Sequence, residues 1–323
     1  MKKILAILLT LLVSAALFTG CGSKGADPNF PEKPVQCIIP YAPGGGSDVL
    51  TRAIMKDLKM AQPLVAVNIE GGSGLVGAYQ VFDAKADGYT ILAHNPVDLI
   101  GFDLGGLSDE PLWDELETLA MVVADYNVIS TNKFSDWKTI EDVVAWTKAN
   151  PGQKIKWAVS GARSVNMADT QRIAQALGIF DNITFVPYDG GAGTRKALLG
   201  DEARLETTTA SEIKALVASG DNIPLLVVSG ERIKSQPDLP STLEKGIDVT
   251  TVKWRGYYAP KGTPRAVMDY LENALKEVAT NPAFVDFVEN NLNFTANFVG
   301  GAAAKQQIVK WTEELRPFFE DLK

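Results

Sequence analysis

Few side chains in this chain could attack, protonate or coordinate a substrate. Its 323 residues include one histidine, His94, and two cysteines, Cys21 and Cys37. A serine hydrolase needs a base beside its nucleophile, and no serine here stands in G-x-S-x-G. Ser47 and Ser73 follow glycines, but neither is followed by the closing one. A lone histidine at a strand end reads as a structural or pocket-lining residue. One histidine and no cysteine cluster leave only carboxylates as metal ligands, and these lack ordered spacing. No metal, other cofactor or catalysis is therefore expected.

What the chain offers instead is backbone. Cys37-Ile38-Ile39-Pro40-Tyr41-Ala42-Pro43-Gly44-Gly45-Gly46-Ser47-Asp48 reads as an apolar strand, a turn, three glycines and a helix start. Ser47 is placed to cap that helix, and Leu50, Ala53, Ile54 and Leu58 follow at helical spacing. Glycines bring N–H groups close to a ligand without side-chain obstruction. The helix N-terminus adds unpaired donors and a partial positive charge. Together they suit an anion, and related junctions recur near Ser160 and Tyr188. Asp48 is the wrong charge to touch an anion and is expected to fix loop amides or ordered waters. Arg163 and Ser164, at another helix start, add a charged donor and a hydroxyl. The expectation is a protein that holds a carboxylate and leaves it unchanged.

Two phosphate-binding alternatives fit less well. A P-loop needs Gly-Lys-Ser/Thr after its glycines, and Gly46-Ser47-Asp48 lacks the lysine. Gly72-Ser73-Gly74-Leu75-Val76-Gly77 is literally G-x-G-x-x-G between a strand and a helix, which invites a nucleotide-dependent enzyme. A dinucleotide site also wants an acid at the end of the next strand. That strand ends in Ala93-His94-Asn95, with Asp98 beyond it in a loop. The run also forms the second βα junction rather than the first, so it reads as a close helix–strand packing turn.

The elements that must position these loops alternate as βαβαβ, which implies a parallel sheet covered by helices. Strands are expected at Val35–Pro40, Leu64–Asn68 and Tyr89–Ala93, with helices after the first two. Residues 96–117 read as irregular and acidic. Leu119–Val123 and Asn127–Ser130 read as separate strands. Thr139 and Asp142 form a capping box, and a second α/β unit runs to about Val228. An aromatic stretch with Trp254, Tyr257 and Tyr258 returns to the first sheet. Three helices then finish the chain, the first capped by Thr263-Pro264 and the second by Asn281-Pro282. With 46% hydrophobic and 22% charged residues, a sizeable core is available. A net charge of −8 argues against nucleic acid as partner, because phosphate neutralisation needs a basic footprint.

The N-terminus has the layout of a signal peptide: Lys2-Lys3, an apolar run from Ile4 to Phe18, then Thr19-Gly20-Cys21. That tail resembles the bacterial lipobox, in which the cysteine is lipidated and becomes the new N-terminus; Phe18 replaces its usual leucine. Residues 1–20 are thus expected to be removed. Residues 21–32 would form a lipidated Cys21 and tether, and Cys37 would be left as a buried thiol without a partner. The expected location is the outer face of the cell membrane or the periplasm, held by the lipid anchor alone.

An ordered series of motifs carries a wider resemblance. It opens with Tyr41-Ala42-Pro43-Gly44-Gly45-Gly46-Ser47-Asp48 with Arg52, then Asn68-x-x-Gly71-x-x-Gly74-x-x-Gly77 and Asp87-Gly88-Tyr89-Thr90. Ala149-Asn150-Pro151-Gly152, Val186-Pro187-Tyr188-x-Gly190 and Ala259-Pro260-x-Gly262-Thr263-Pro264 follow in sequence. From about Lys33 to its end the chain resembles the extracytoplasmic solute receptors of tripartite tricarboxylate transporters, the Bug family. The resemblance implies a type II periplasmic-binding-protein fold, an α/β architecture of two lobes around a ligand cleft joined by two crossovers. The lobes would be 33–129 with 255–323, and 130–254, with crossovers near Asn127–Asn132 and Val252–Tyr257. It implies a small carboxylic acid, di- or tricarboxylate-like, delivered by a monomeric receptor to a membrane permease; a sensor for a signalling partner is the alternative.

By motif position the first-lobe contacts become Tyr41, Gly44, Gly45, Gly46, Ser47 and Asp48, with His94 lining the pocket. The second-lobe contacts become Ser160, Gly161, Arg163, Ser164, Tyr188 and Gly190. Relatives often carry a histidine after the Ser-Gly-x-x-Ser/Thr turn and an aspartate further on. Val165-Asn166 and about Thr208 stand there in this chain, and Arg163 hints at a second carboxylate.

Overall fold

The computed structural model describes residues 29–320. The apolar leader, Cys21 and the tether up to Pro28 lie outside the described residues, so the lipidation site has no structural account. The chain begins with β1 (Val35–Ile39), α1 (Gly46–Asp57), β2 (Leu64–Asn68), α2 (Leu75–Phe82), β3 (Thr90–His94) and α3 (Pro96–Leu104). A short turn, α4 (Leu112–Glu115), leads into β4 (Leu116–Asn132). The second unit comprises α5 (Ile140–Ala149), β5 (Ile155–Ser160), α6 (Val165–Ala176), β6 (Ile183–Tyr188), α7 (Gly190–Leu199), β7 (Leu205–Thr209), α8 (Ala210–Ser219) and β8 (Asn222–Val227). The chain then returns through β9 (Val252–Pro260), α9 (Arg265–Ala279), α10 (Pro282–Leu292), β10 (Thr295–Gly300) and α11 (Gly301–Glu320).

Strand pairing defines two sheets that share β4. In the first, β1 runs parallel to β2 and β3, β3 lies antiparallel to β9, and β9 pairs with Leu116–Tyr126 of β4, which β10 borders on its other side. In the second, Asn127–Asn132 of β4 pairs with β7 and β8, and β5 runs parallel to β6 and β7. The chain therefore changes sheets between Tyr126 and Asn127, inside one strand, and again just ahead of Val252. This is the mixed α/β, two-lobed, twice-crossed architecture expected.

Each lobe has its own core. In the first, Cys37 and Ile39 on one face of β1 pack with Leu50, Ile54 and Leu271, while Ile38 on the other face meets Leu92, Ile100, Tyr258 and Ile308. Burial on both faces explains why β1 reads as a continuous apolar run rather than an alternating one. In the second, Trp157 and Val159 of β5 pack with Ile173, Leu205 and Leu225. Burying such side chains contributes roughly 1.5–3 kcal/mol each.

Several local expectations are corrected. Leu119–Val123 and Asn127–Ser130 are one 17-residue strand, because the polar break at Asp125 is paired internally. Residues 96–104 form α3 rather than irregular chain. Asn95 accepts from Asp98 N, Pro96 fills the first helical position, and the helix is buried nearly all round, leaving no amphipathic stripe to read. Ser47 does not cap α1: Gly45 occupies the N-cap and Ser47 lies inside the helix. Thr263 does not cap α9 either, since its hydroxyl donates to Pro260 O. β10 interrupts what read as three successive helices. The Thr139–Asp142 capping box and the Asn281 cap are as expected.

Candidate functional site

A cleft of about 300 Å³ lies between the lobes, walled by the loops that follow β1, β2, β5 and β6 and by residues of β7, α8 and β9. Ligand sites of open α/β sheets form at such carboxyl ends of parallel strands. Of the residues read from the sequence, Tyr41, Gly45, Gly46, Ser160, Gly161, Arg163, Ser164, Gly190 and Thr208 line it. Ser47, Asp48 and His94 are buried behind the wall, while Gly44 is exposed and Tyr188 half-buried outside it.

Behind the first glycine loop, Asp48 is the anchor. Its carboxylate accepts from Gly44 N (2.9 Å), Arg52 Nε (2.9 Å) and Asn68 Nδ2 (3.1 Å), and Asn68 Nδ2 also donates to Tyr41 O. Asp48 thus fixes loop amides, the role expected of it. The other two glycine amides are also engaged: Gly45 N donates to Ala42 O, and Gly46 N reaches Glu212 Oε1 across the cleft at 3.3 Å.

Gly74 has φ of +106°, and a Cβ there would lie 3.0 Å from His94 Nε2 and 3.2 Å from the Tyr41 ring. Its absence lets those rings pack edge-on, with Phe102 beyond them. Gly77 seats its helix on Pro40, and Ser73 N donates to Asp189 Oδ1 of the opposite lobe at 2.8 Å. The G-x-G-x-x-G run is therefore a packing turn whose first half faces the cleft. Tyr41 Oη donates to Asp98 Oδ2 at 2.8 Å. Burial and the Asp98 charge push the phenol pKa well up. Burial lowers His94 to about 4, outweighing Asp98, so the ring is neutral at pH 7. His94 Nδ1 accepts from Asn95 N, and Nε2 is buried without a hydrogen-bond partner among the described residues.

On the second lobe, Ser164 caps α6 by accepting from Met167 N and donates to Ser160 O. Asn166 Nδ2 donates to Ser160 Oγ at 2.6 Å, and its Oδ1 accepts from Asn127 in β4. The exposed Arg163 lies at the rim, reaching Gly105 O of the first lobe at 3.5 Å.

Charged residues that define the cleft were not among the contacts read from the sequence. Glu212, in the first turn of α8, accepts from Arg195 (2.5 Å) and Thr208 Oγ1 (2.8 Å). Burial would raise its pKa, but Arg195 and Arg255 outweigh that and bring it to about 2. Arg255 of β9 donates to Asp125 Oδ2 at 2.6 Å and to Ser47 Oγ at 3.3 Å. Asp98 is held low, because Lys253 and its donors outweigh its burial. Lys253 shares the Arg255 face of β9. The only signal available was two cations two residues apart in an otherwise apolar strand.

The arrangement can hold a small polar anion between donors of both lobes. Among the described residues no cluster could hold a metal ion, and the neutral His94 lies behind the wall rather than beside a nucleophile.

A family model described as "Tripartite tricarboxylate transporter family receptor" matches residues 50–314. A UPF0065 protein of Bordetella pertussis is 30% identical over 290 residues, 88% of each chain. The periplasmic binding protein BugD superposes with a TM-score of 0.77 at 27% identity, covering 90% of this chain and 98% of its own. MatC of Rhodopseudomonas palustris, solved with bound malate, superposes with a TM-score of 0.78 at 20% identity, covering 90% of this chain and all of its own.

Proposed function

The chain belongs to the tripartite tricarboxylate transporter receptor family, and on that premise we propose that it captures a small organic acid outside the cytoplasm and delivers it to a membrane permease. The observation that carries this reading is the cleft itself: a pocket lined by glycine turns from both lobes and by the buried cations Lys253 and Arg255. Ligand contact with both lobes would favour the closed state, since only differential affinity shifts such an equilibrium. Residues 33–129 with 255–323 and residues 130–254 would move as the two bodies, in a monomer. MatC, of the same fold, was solved with malate, which agrees with a carboxylate in this one.

Thermal shift with a panel of mono-, di- and tricarboxylic acids tests the assignment. At one hundred times its Kd, a bound acid stabilises by about 2.7 kcal/mol, which corresponds to a rise of several degrees in Tm. Stabilisation by NAD and by no carboxylate would replace the receptor with a nucleotide-dependent protein.

We further propose that Cys21 carries a lipid that holds the receptor at the membrane. Cys21→Ser should move the protein from the membrane to the soluble fraction. Membrane association that survives the substitution would remove the lipid anchor from this picture.

A further inference from the structure

Strand alternation turns Lys253 and Arg255 toward the cleft, while Trp254 between them goes to the opposite face against Trp311. The two cations are not in the same condition. Arg255 is committed to Asp125 and Ser47 through its terminal nitrogens, while its Nε has no hydrogen-bond partner among the described residues. Lys253 is 7% exposed, and the one acid within ion-pair range, Asp98 Oδ1, stands 3.9 Å away. The other oxygen of Asp98 is occupied by Tyr41 and Asn95. Among the described residues the Lys253 ammonium has no hydrogen-bond partner, although a buried ammonium carries three donors that need acceptors.

Most of the charged and first-loop donors around it are engaged. The amides of Gly44, Gly45 and Gly46 are engaged by Asp48, Ala42 and Glu212. Arg195 pairs with Glu212, and Arg163 sits exposed at the rim. Glu70, Asp98, Asp189 and Glu212 line the same space.

We propose that Lys253 is the seat of the ligand's carboxylate, and that the site takes an acid with one carboxylate whose remainder is uncharged or cationic. This rests on reading the cleft as a carboxylate site and specifies its chemistry. One ammonium with a long ion pair and no hydrogen bond matches one carboxylate. A second carboxylate inside the cleft faces a lining that carries Glu70, Asp98, Asp189 and Glu212, and such like-charge contacts are how a site rejects a competitor. A hydroxyl or ammonium on the ligand finds acceptors in those same acids.

The test is isothermal calorimetry on the full chain with matched probes: propionate, lactate, alanine and benzoate, the primary amide of each, and succinate, malate, adipate and citrate. The wild type should bind at least one monocarboxylate tenfold or more tightly than its amide and than every polycarboxylate. In Lys253→Gln the acid-over-amide ratio should fall to near one; Lys253→Arg should keep most of it, and loss of the preference in both would equally locate the carboxylate at this position. An acid that binds wild type and Lys253→Gln with the same ratio would place the seat elsewhere and leave the receptor reading intact. Preference for succinate, malate, adipate or citrate would overturn the single-carboxylate rule. If no carboxylate binds the wild type, this inference and the receptor reading both fall.

Discussion

Replacing Arg255 with methionine should destabilise the protein by about 3–5 kcal/mol, the range seen when one partner of a buried ion pair is removed. Asp125 is completely buried in the middle of β4, and Arg255 Nη2 lies 2.6 Å from it. Without the guanidinium, the carboxylate would keep only the hydroxyl and amide of Ser211. Methionine fills much of the vacated space, so the loss would come chiefly from the stranded charge. The double variant Arg255→Met/Asp125→Leu should therefore recover a large part of it. Urea unfolding at pH 7 reads both. A single-variant loss below about 1 kcal/mol would mean that Asp125 finds other solvation and that the pair does not hold β4 and β9 together.

Glu206→Gln should stabilise the protein in alkaline solution and do almost nothing in acid. Glu206 is completely buried in β7, with one oxygen held by Asn222 and Ser130 and the other without a hydrogen-bond partner among the described residues. Burial pushes its carboxyl from 4.5 up to about 7, against the pull of Arg195. A folded-state pKa above the unfolded one means that the folded protein holds the proton more tightly. The contribution is then complete below pH 4.5 and is lost as pH rises through 7. A shift of this size corresponds to about 3 kcal/mol. The neutral amide removes the dependence, so Glu206→Gln should gain about 2–3 kcal/mol over wild type at pH 8.5 and converge with it near pH 4.5. His94 tilts the other way: with a folded pKa near 4, its contribution is present above pH 6.5 and lost as pH falls toward 4. Comparing the two proteins at each pH cancels that slope. A stability difference independent of pH would show that Glu206 keeps its charge in the fold.

The glycine junctions and the elements around them were readable because each is a local device. A strand, a tight turn and a helix start declare themselves within a dozen residues, as does the Asp48 anchor four residues from the amide it holds. The charges that define the cleft were not readable. Arg255 meets Asp125 across 130 residues, and Glu212 meets Gly46 across 166. Nothing near Asp125 announces its partner, so its charge looked like the end of a strand rather than the middle of one. α3 was hidden for the opposite reason: burial on nearly every side removes the alternation by which a helix is recognised, although Asn95-Pro96 marked its start. β10 lacks clean alternation, so Asn293 before it and Gly300-Gly301 at its end read as breaks between helices rather than as the bounds of a strand.

Because β9 and β10 complete the first sheet, its order in space differs from its order of synthesis. When Asn132 leaves the ribosome, β1, β2 and β3 exist, but the strand that must lie between β3 and β4 is still more than a hundred residues away. The second sheet, by contrast, needs only the chain from Asn127 to Val227. The middle of the chain can therefore complete its sheet first. The N-terminal third must wait with an open edge for Val252–Pro260 to arrive, the kind of long-range closure that slows folding and exposes unpaired strands.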